Sequence, residues 1–508
     1  MENSRTQNSI RNIGFGMINR VVSILFPFIV RTIFIKTLGE EYLGLNSLYS
    51  SVLQVLNLAD LGFASAIVAS MYKPIADNDV KKVSALMALY KKLYKVIGFC
   101  ILCVGLAITP FIGALISGEP PEDVNIYIVW LLYLANTVVS YLFYAYKVSV
   151  INAHQRSDIT EKIGAVCRIL FSVLQIIVVA VFRNIYLYVF LTVINSIAYN
   201  LWCARECDKR YPHYVCSGEL DKATKSQITR NVGALALQKI GNTVSVSLDS
   251  IVISAFLGLR TVAIYGNYYY IVSAVATFVN LIYGAITASI GNSIVTESRE
   301  KNWQDLKKFF FLNTWLIGWC SICFICLFQD FMTIWMGKEL LFGIGTVLCL
   351  VLRFYFEQIR KVILTYKDAA GMWWADKWRP IVGCIVNLIL NIVMVKTIGV
   401  VGVMLSTVIS YAFVEIPWET HALFKNYFGN NEKRYYIQLL TSTFCIFISG
   451  IATYFLCSII NCSPIISLII KGVLCVIIPN LIFALLNIRN SDFAKSMMFV
   501  RNILKRKH

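Results

Sequence analysis

The sequence predicts an all-α integral membrane protein of about fourteen transmembrane helices, arranged as two six-helix repeat lobes followed by two C-terminal helices. Three observations carry that expectation. Hydrophobic residues make up 58% of the 508 and charged residues only 15%, with a mean hydropathy of +0.67, whereas soluble domains run near ~45–50% apolar and ~25% charged. The apolar residues gather into runs that match the roughly 20 helical residues needed to cross the hydrocarbon layer. Lysine and arginine alternate between rich and poor connections along the chain.

In chain order the runs fall near 11–37, 43–71, 90–117, 125–150, 160–182 and 185–205. A second set lies near 231–258, 262–295, 307–336, 341–366, 379–397 and 400–424, and a last pair near 436–459 and 463–487. The first run is longer than the ~7–15 residues of a signal-peptide core and lacks a small-residue cleavage site, so it is expected to remain as the first span.

Orientation follows from the connections. One side holds Arg5 and Arg11, Lys73, Lys81 and Lys82, Arg156 and Lys162, and the basic stretch from Lys209 to Arg230. It continues with Arg299, Lys301, Lys307 and Lys308, then Lys367, Lys377 and Arg379, then Lys425, Lys433 and Arg434, and the tail Arg501, Lys505, Arg506 and Lys507. The other side has little more than Lys36, Arg183, Arg260, Lys338 and Lys396, and its longest loop carries Glu119, Glu122 and Asp123. The basic side is therefore expected to be cytoplasmic, with both termini on it. A missing or extra helix would exchange the charges downstream of it, so the alternation also supports the count.

The net charge of +18 lies in these short connections and not in a basic and aromatic module of soluble character, which argues against a nucleic-acid partner. Most of the 15 cysteines sit inside apolar runs. The spacing of Cys320, Cys323 and Cys326 superficially matches part of an iron–sulfur ligand run. Three-residue steps drift around a helix, no fourth ligand or loop accompanies them, and helix packing is the expected role. No metal or cofactor is expected.

An internal repeat emerges at an offset of 219, where Arg11-Asn12-Ile13-Gly14 overlies Arg230-Asn231-Val232-Gly233 and Leu38-Gly39 overlies Leu257-Gly258. The expected domains are an N-terminal lobe over 1–227, a C-terminal lobe over 228–430, and two further helices with a basic tail over 431–508. Repeats of this kind are a common frame for alternating access around a central site.

Ser9-Ile10-Arg11-Asn12-Ile13-Gly14, the turn Leu38-Gly39-Glu40-Glu41-Tyr42-Leu43-Gly44, Asn57-Leu58-Ala59-Asp60-Leu61-Gly62, and Ile398-Gly399-Val400-Val401-Gly402 occur in that order along the chain. With this set the chain resembles the polysaccharide-transporter, or O-antigen flippase, family of the multidrug/oligosaccharidyl-lipid/polysaccharide exporter superfamily. The resemblance implies a substrate, an oligosaccharide carried on undecaprenyl pyrophosphate (an O-antigen or capsule repeat unit), and polysaccharide polymerase machinery as a further partner besides the membrane lipids. Composition and spacing do not themselves specify that substrate.

Ionisable residues deep in a span are costly, at ~2.5–3.5 kcal/mol on insertion scales, and mark cavities or partners. Arg20, Pro27 and Arg31 share one face of the first span, and two guanidiniums lining a cavity suit a pyrophosphate. Snorkelling or pairing with an acid elsewhere is the alternative. Asn46, Ser50, Gln54, Asn57 and Asp60 form a polar stripe on the second span, with Asp60 leaning towards a structural role. Arg168, in the fifth span, has no acid within reach on its own helix. The seventh span carries Gln238, Lys239, Asn242, Ser245 and Asp249. Lys239 could bind phosphate, and Asp249 could hold a coupling H+ or Na+. Arg353 and Glu357 are spaced to pair with each other on the tenth span. Glu415, in the twelfth span, is either a coupling acid or a buried partner for a basic residue. Tyr265, Tyr268, Tyr269 and Tyr270 fit an interfacial aromatic belt better than a sugar-stacking platform.

No G-x-x-x-x-G-K-[ST] motif occurs, so ATP hydrolysis by this chain is not expected, and an ion gradient or consumption of the product would drive transport. Two competing functions remain at this point. A cation-coupled multidrug exporter would favour acids and aromatics, against which the excess of deep basic residues argues. A polytopic glycan polymerase or ligase would need a sizeable outer loop, and the outer loops are short. The chain is therefore not expected to be an enzyme.

Overall fold

The computed structural model describes the backbone of residues 5–57, 63–372, 374–429, 432–460 and 462–505. Within these, side chains are described except at 5–10, 13, 63–66, 223–224, 227, 229–243, 285, 288, 500 and 502–505. The described chain is α-helical, with short turns of 3-10 and π geometry. Two compact units divide it, unit 1 being Met1–Gly266 and unit 2 Asn267–His508.

Unit 1 contains α1 (Arg5–Thr37), α2 (Glu40–Leu56), α3 (Phe63–Ala76), α4 (Val80–Ile108), α5 (Ile126–Leu142), α6 (Ala145–Ala153), α7 (Ser157–Ile177), α8 (Ile185–Arg210) and the first part of α9 (Lys222–Thr296). Unit 2 contains the remainder of α9, α10 (Arg299–Met336), α11 (Ile344–Ile359), α12 (Lys361–Ala369), α13 (Arg379–Ser410), α14 (Ile416–Leu423), α15 (Glu432–Ser458), α16 (Pro464–Asn487) and α17 (Ser491–Lys505).

Nine stretches among the described residues are long and apolar enough to cross a membrane, and the bent pair α5–α6 makes ten. Two of the nine, Val244–Thr296 and Arg379–Phe428, run to 53 and 50 residues, and each contains a backbone break, at Gly258 and at Ile398 with Gly399. Each of these two has the length of two crossings joined at its break.

The repeat turn has a physical signature. Gly39 adopts φ 105°, ψ 175° and Gly258 φ 82°, ψ 171°, a region of backbone space essentially confined to glycine. A Leu-Gly pair therefore ends each helix in the same way 219 residues apart, and a side chain at either position would strain the turn.

Close helix contact in unit 1 depends on Gly44, where an added Cβ would lie 2.1 Å from the carbonyl oxygen of Leu259. Gly44→Ala must push α2 away from α9, and overpacking of this kind costs ~1–3 kcal/mol. A lower melting temperature in detergent is expected for Gly44→Ala and an unchanged one for Gly14→Ala, since an added Cβ on Gly14 meets nothing within 4 Å. Equal melting temperatures would show that the contact yields freely.

In unit 2 the last hairpin packs on α10. Trp315 Nε1 donates to Asn480 Oδ1 at 2.8 Å, Trp319 Nε1 donates to the Cys475 carbonyl at 2.8 Å, and Lys471 Nζ pairs with Asp330 Oδ2 at 2.8 Å. Lys471, a deep basic residue of the fourteenth span, is thereby accounted for by a neighbouring helix.

Tyr265 and Tyr268 do not form an aromatic belt. Both are fully buried, and Tyr268 stacks on Phe342 while its hydroxyl donates to Gln329 Oε1 at 3.2 Å. With a packed ring and a satisfied hydroxyl, Tyr268 has no need of the membrane interface.

Candidate functional site

Two of the basic residues singled out in unit 1, Arg168 on α7 and Arg31 on α1, lie on helices that pack against each other. At one level, Asn19 Nδ2 donates to Glu161 Oε2 on α7, and Gly164 lies against the Tyr199 ring and Asn19. Arg168 follows one turn later. It is half-buried, and its Nε is enclosed without a hydrogen-bond partner among the described residues. An enclosed donor left unmatched is costly, at ~1–3 kcal/mol, and points to an acceptor that binds there.

At a second level, Arg31 packs against the backbone of Gly266, where an added Cβ would come within 2.6 Å of Arg31 Nη2 and 3.3 Å of Ser47 Oγ. Asn46 lies one residue from Ser47 and accepts from Tyr133 Oη at 2.7 Å, and Tyr188 bonds the same amide while lying close to the Arg31 charge. Arg20, by contrast, is exposed. Helical spacing puts Arg20 and Arg31 on one face of α1, but their environments differ.

A cavity of about 430 Å³ lies among α3, α4, α5, α6 and α8 of unit 1. Tyr90, Tyr94, Tyr141 and Tyr199 line it with Asn152 and Asn200. Tyrosine rings with amides and hydroxyls are a lining that can stack on and hydrogen-bond a polar ring. Asp249 is fully buried on α9, and its neighbour Ser247 donates to Gln54 Oε1 at 3.2 Å. The Lys239 side chain and Asp60 lie outside the described residues.

In unit 2 Arg353 is buried over the Tyr269 ring, with its guanidinium 5.1 Å from the ring centroid. The intrahelical pair with Glu357 does not form. Glu357 instead accepts from Gln358 Nε2 at 3.3 Å and faces the charge of Lys361. Spacing alone permitted the pair; the guanidinium lies instead over the aromatic face.

Glu415 lies in a buried cluster of ion pairs. Arg360 Nη1 lies 3.1 Å from Glu415 Oε2 and Arg360 Nη2 lies 2.9 Å from Glu419 Oε1. Arg379 contacts Glu415, lies 2.7 Å from Glu419 Oε1, and reaches Asp376 Oδ2 at 2.7 Å, while Lys367 also pairs with Asp376. Three bases thus meet three acids, all buried. Glu419 Oε1 is near two guanidiniums by distance, yet neither Glu419 oxygen has an aligned hydrogen bond among the described residues.

Sequence reading found Glu415 and missed the other five members of the cluster. The signal available was a pair of acids four residues apart beside a proline, which does not identify partners on other helices. Missed too was a seam along α13, in which Asn391 donates to Asn387 Oδ1 at 3.2 Å, Asn387 to Thr407 Oγ1 at 2.9 Å, and Ser406 to Asn391.

Fold and composition define a multi-pass, all-helical membrane protein. Residues 9–287 match the model of a family described as polysaccharide biosynthesis protein, and the chain belongs to that family. Its fold is shared with solved structures of low sequence identity. One is the lipid II flippase MurJ in an inward closed conformation, at 12% identity and TM-score 0.68, covering 94% of this chain and 99% of that one. Another is an inward-facing multidrug resistance MATE family transporter of the MOP superfamily, at 15% identity and TM-score 0.63, covering 81% and 97%. A mutant of the Vibrio cholerae MATE transporter VcmN is similar at 16% identity and TM-score 0.54, covering 82% and 96%. No curated protein sequence matches the chain.

Proposed function

We propose that this protein is a flippase, moving an undecaprenyl-pyrophosphate-linked oligosaccharide across the cytoplasmic membrane by alternating access through a basic cavity, with both termini cytoplasmic. The observation that carries the reading is Arg168, whose enclosed Nε has no hydrogen-bond partner among the described residues. A diphosphate supplies the planar, multiply charged acceptor that a guanidinium prefers. Membership of a polysaccharide biosynthesis family and a fold shared with a lipid II flippase support the same substrate class. Arg20, Arg31, Lys239 and Arg353 complete the proposed set of cavity bases, the two repeat lobes and the final helix pair being the moving and accessory parts.

Driving force would come from a coupled H+ or Na+ at Asp249, the membrane potential at ~2.3 kcal/mol per charge per 100 mV, or consumption of the product by polymerase machinery. Glu415, held by two arginines, is a structural acid in this reading. A cation-coupled exporter is the second reading, favoured by the fully buried Asp249 and by the shared MATE fold.

Reconstitution into proteoliposomes with a lipid-linked oligosaccharide distinguishes them. Protein-dependent transfer of the glycan headgroup between leaflets is expected, with and without an imposed ion gradient as separate arms. Efflux of cationic drugs with no headgroup transfer would overturn the flippase reading.

A further inference from the structure

Unit 2 contains a cluster of sulfurs that the transport reading does not use. Cys326 on α10, Cys457 on α15 and Cys475 on α16 bring their Sγ atoms within 4.8 Å of one another. Each comes from a different helix, and their exposures are 7%, 2% and 0%. We propose that these three thiols form a binding site for a soft monovalent metal ion of the copper(I) class, which fastens the last helical hairpin to α10.

The donor set selects the ion. Metal–sulfur bonds near 2.3 Å in a trigonal arrangement place the sulfurs about 4 Å apart, so little closure is needed from the observed triangle. Three sulfurs with no histidine or carboxylate in the group favour a soft ion over a hard one. A zinc ion with three protein ligands keeps water in its fourth position, which a buried triangle between packed helices does not supply. Cys323, one turn before Cys326, is in hydrogen-bonding contact with Cys475 but falls outside the mutual triangle, so it serves as a donor to a ligand sulfur and not as a fourth ligand. Each thiol that binds as thiolate releases one proton.

The site also makes mechanical sense. Cys326 is far in sequence from Cys457 and Cys475, so one ion would close a long loop, and the constraint removed from the unfolded chain grows with loop length.

The test uses the full chain in nanodiscs, kept reduced and anaerobic, with the exposed thiols removed by Cys100→Ser, Cys103→Ser and Cys462→Ser. Titration with copper(I) against a chromophoric chelator is expected to give one tightly held ion per chain, with X-ray absorption showing three sulfur scatterers. Copper(I) should also raise the melting temperature. Cys475→Ala in that background should lose the bound ion and the thermal shift, and Cys457→Ala should do the same should Cys475→Ala fail to insert. Retention of the ion in both variants would overturn the proposal, as would fewer than three sulfur scatterers in the parent. Preferential zinc binding, or a disulfide among these residues in protein isolated without reductant, would overturn it equally.

Discussion

Arg379→Met is expected to lower the stability of unit 2 by ~3–5 kcal/mol, the range seen when one partner is removed from a buried ion pair. Arg379 touches Asp376, Glu415 and Glu419 and is 2% exposed, so its loss leaves three buried acids facing only Arg360 and Lys367. Methionine fills much of the volume but cannot carry the charge. Glu419→Gln should cost less, because Arg360 and Arg379 retain Glu415. As a reference, Arg260→Ala breaks a pair with Glu40 at 3.6 Å in which both side chains are partly exposed, and a change of at most about 1 kcal/mol is expected. Thermal unfolding in detergent compares all three, and an Arg379→Met melting temperature equal to that of Arg260→Ala would refute the argument.

Acid should act on the same network. Burial by itself would raise the Asp376 pKa, but the Lys367 and Arg379 charges outweigh it and hold the carboxyl below its ordinary value. A depressed carboxyl contributes stability that is present above the unfolded pKa of ~3.9 and lost as pH falls through the folded value. The melting temperature should therefore hold down to about pH 4 and fall below it.

The second large effect concerns transport. Arg168→Ala and Arg31→Ala are each expected to abolish surface glycan in cells that depend on this protein while leaving membrane insertion intact. A charge-assisted hydrogen bond contributes roughly 1.5–3 kcal/mol, so losing one guanidinium from a diphosphate site should slow translocation by about 10- to 100-fold. Arg168→Lys keeps the charge but not the planar fork and should fall between wild type and alanine. Full surface glycan from both alanine variants at normal expression would remove the basic-cavity argument. Melting temperatures measured alongside separate a transport defect from a folding one, which matters most for Arg31 because it packs on Gly266.

The two effects differ in how visible they were in the sequence. Arg168 could be singled out because an arginine inside an apolar run, without an acid within reach on its own helix, is conspicuous in one dimension. The spans were equally legible, since hydrocarbon thickness imposes a length, and so was the glycine turn, since the Leu-Gly pair recurs at a fixed offset. The Arg360, Asp376, Arg379, Glu415 and Glu419 cluster was hidden because its members come from different helices and from the connection between them, where basic residues also serve as topology signals. Lys367 and Arg379 counted as loop charges when read that way, yet both are buried. Tyr268 was misread for a related reason: it has a plausible local role that tertiary contact overrides.

The ion pair that docks the final hairpin has a consequence for synthesis. Asp330 and Lys471 are 141 residues apart, and ribosomes add ~5–20 residues per second, so Asp330 emerges roughly 7–28 seconds before its partner exists. Through that interval the carboxyl must remain beside water or be sheltered by the insertion machinery. α10 thus acquires its counter-ion only after the hairpin of α15 and α16 has been synthesised.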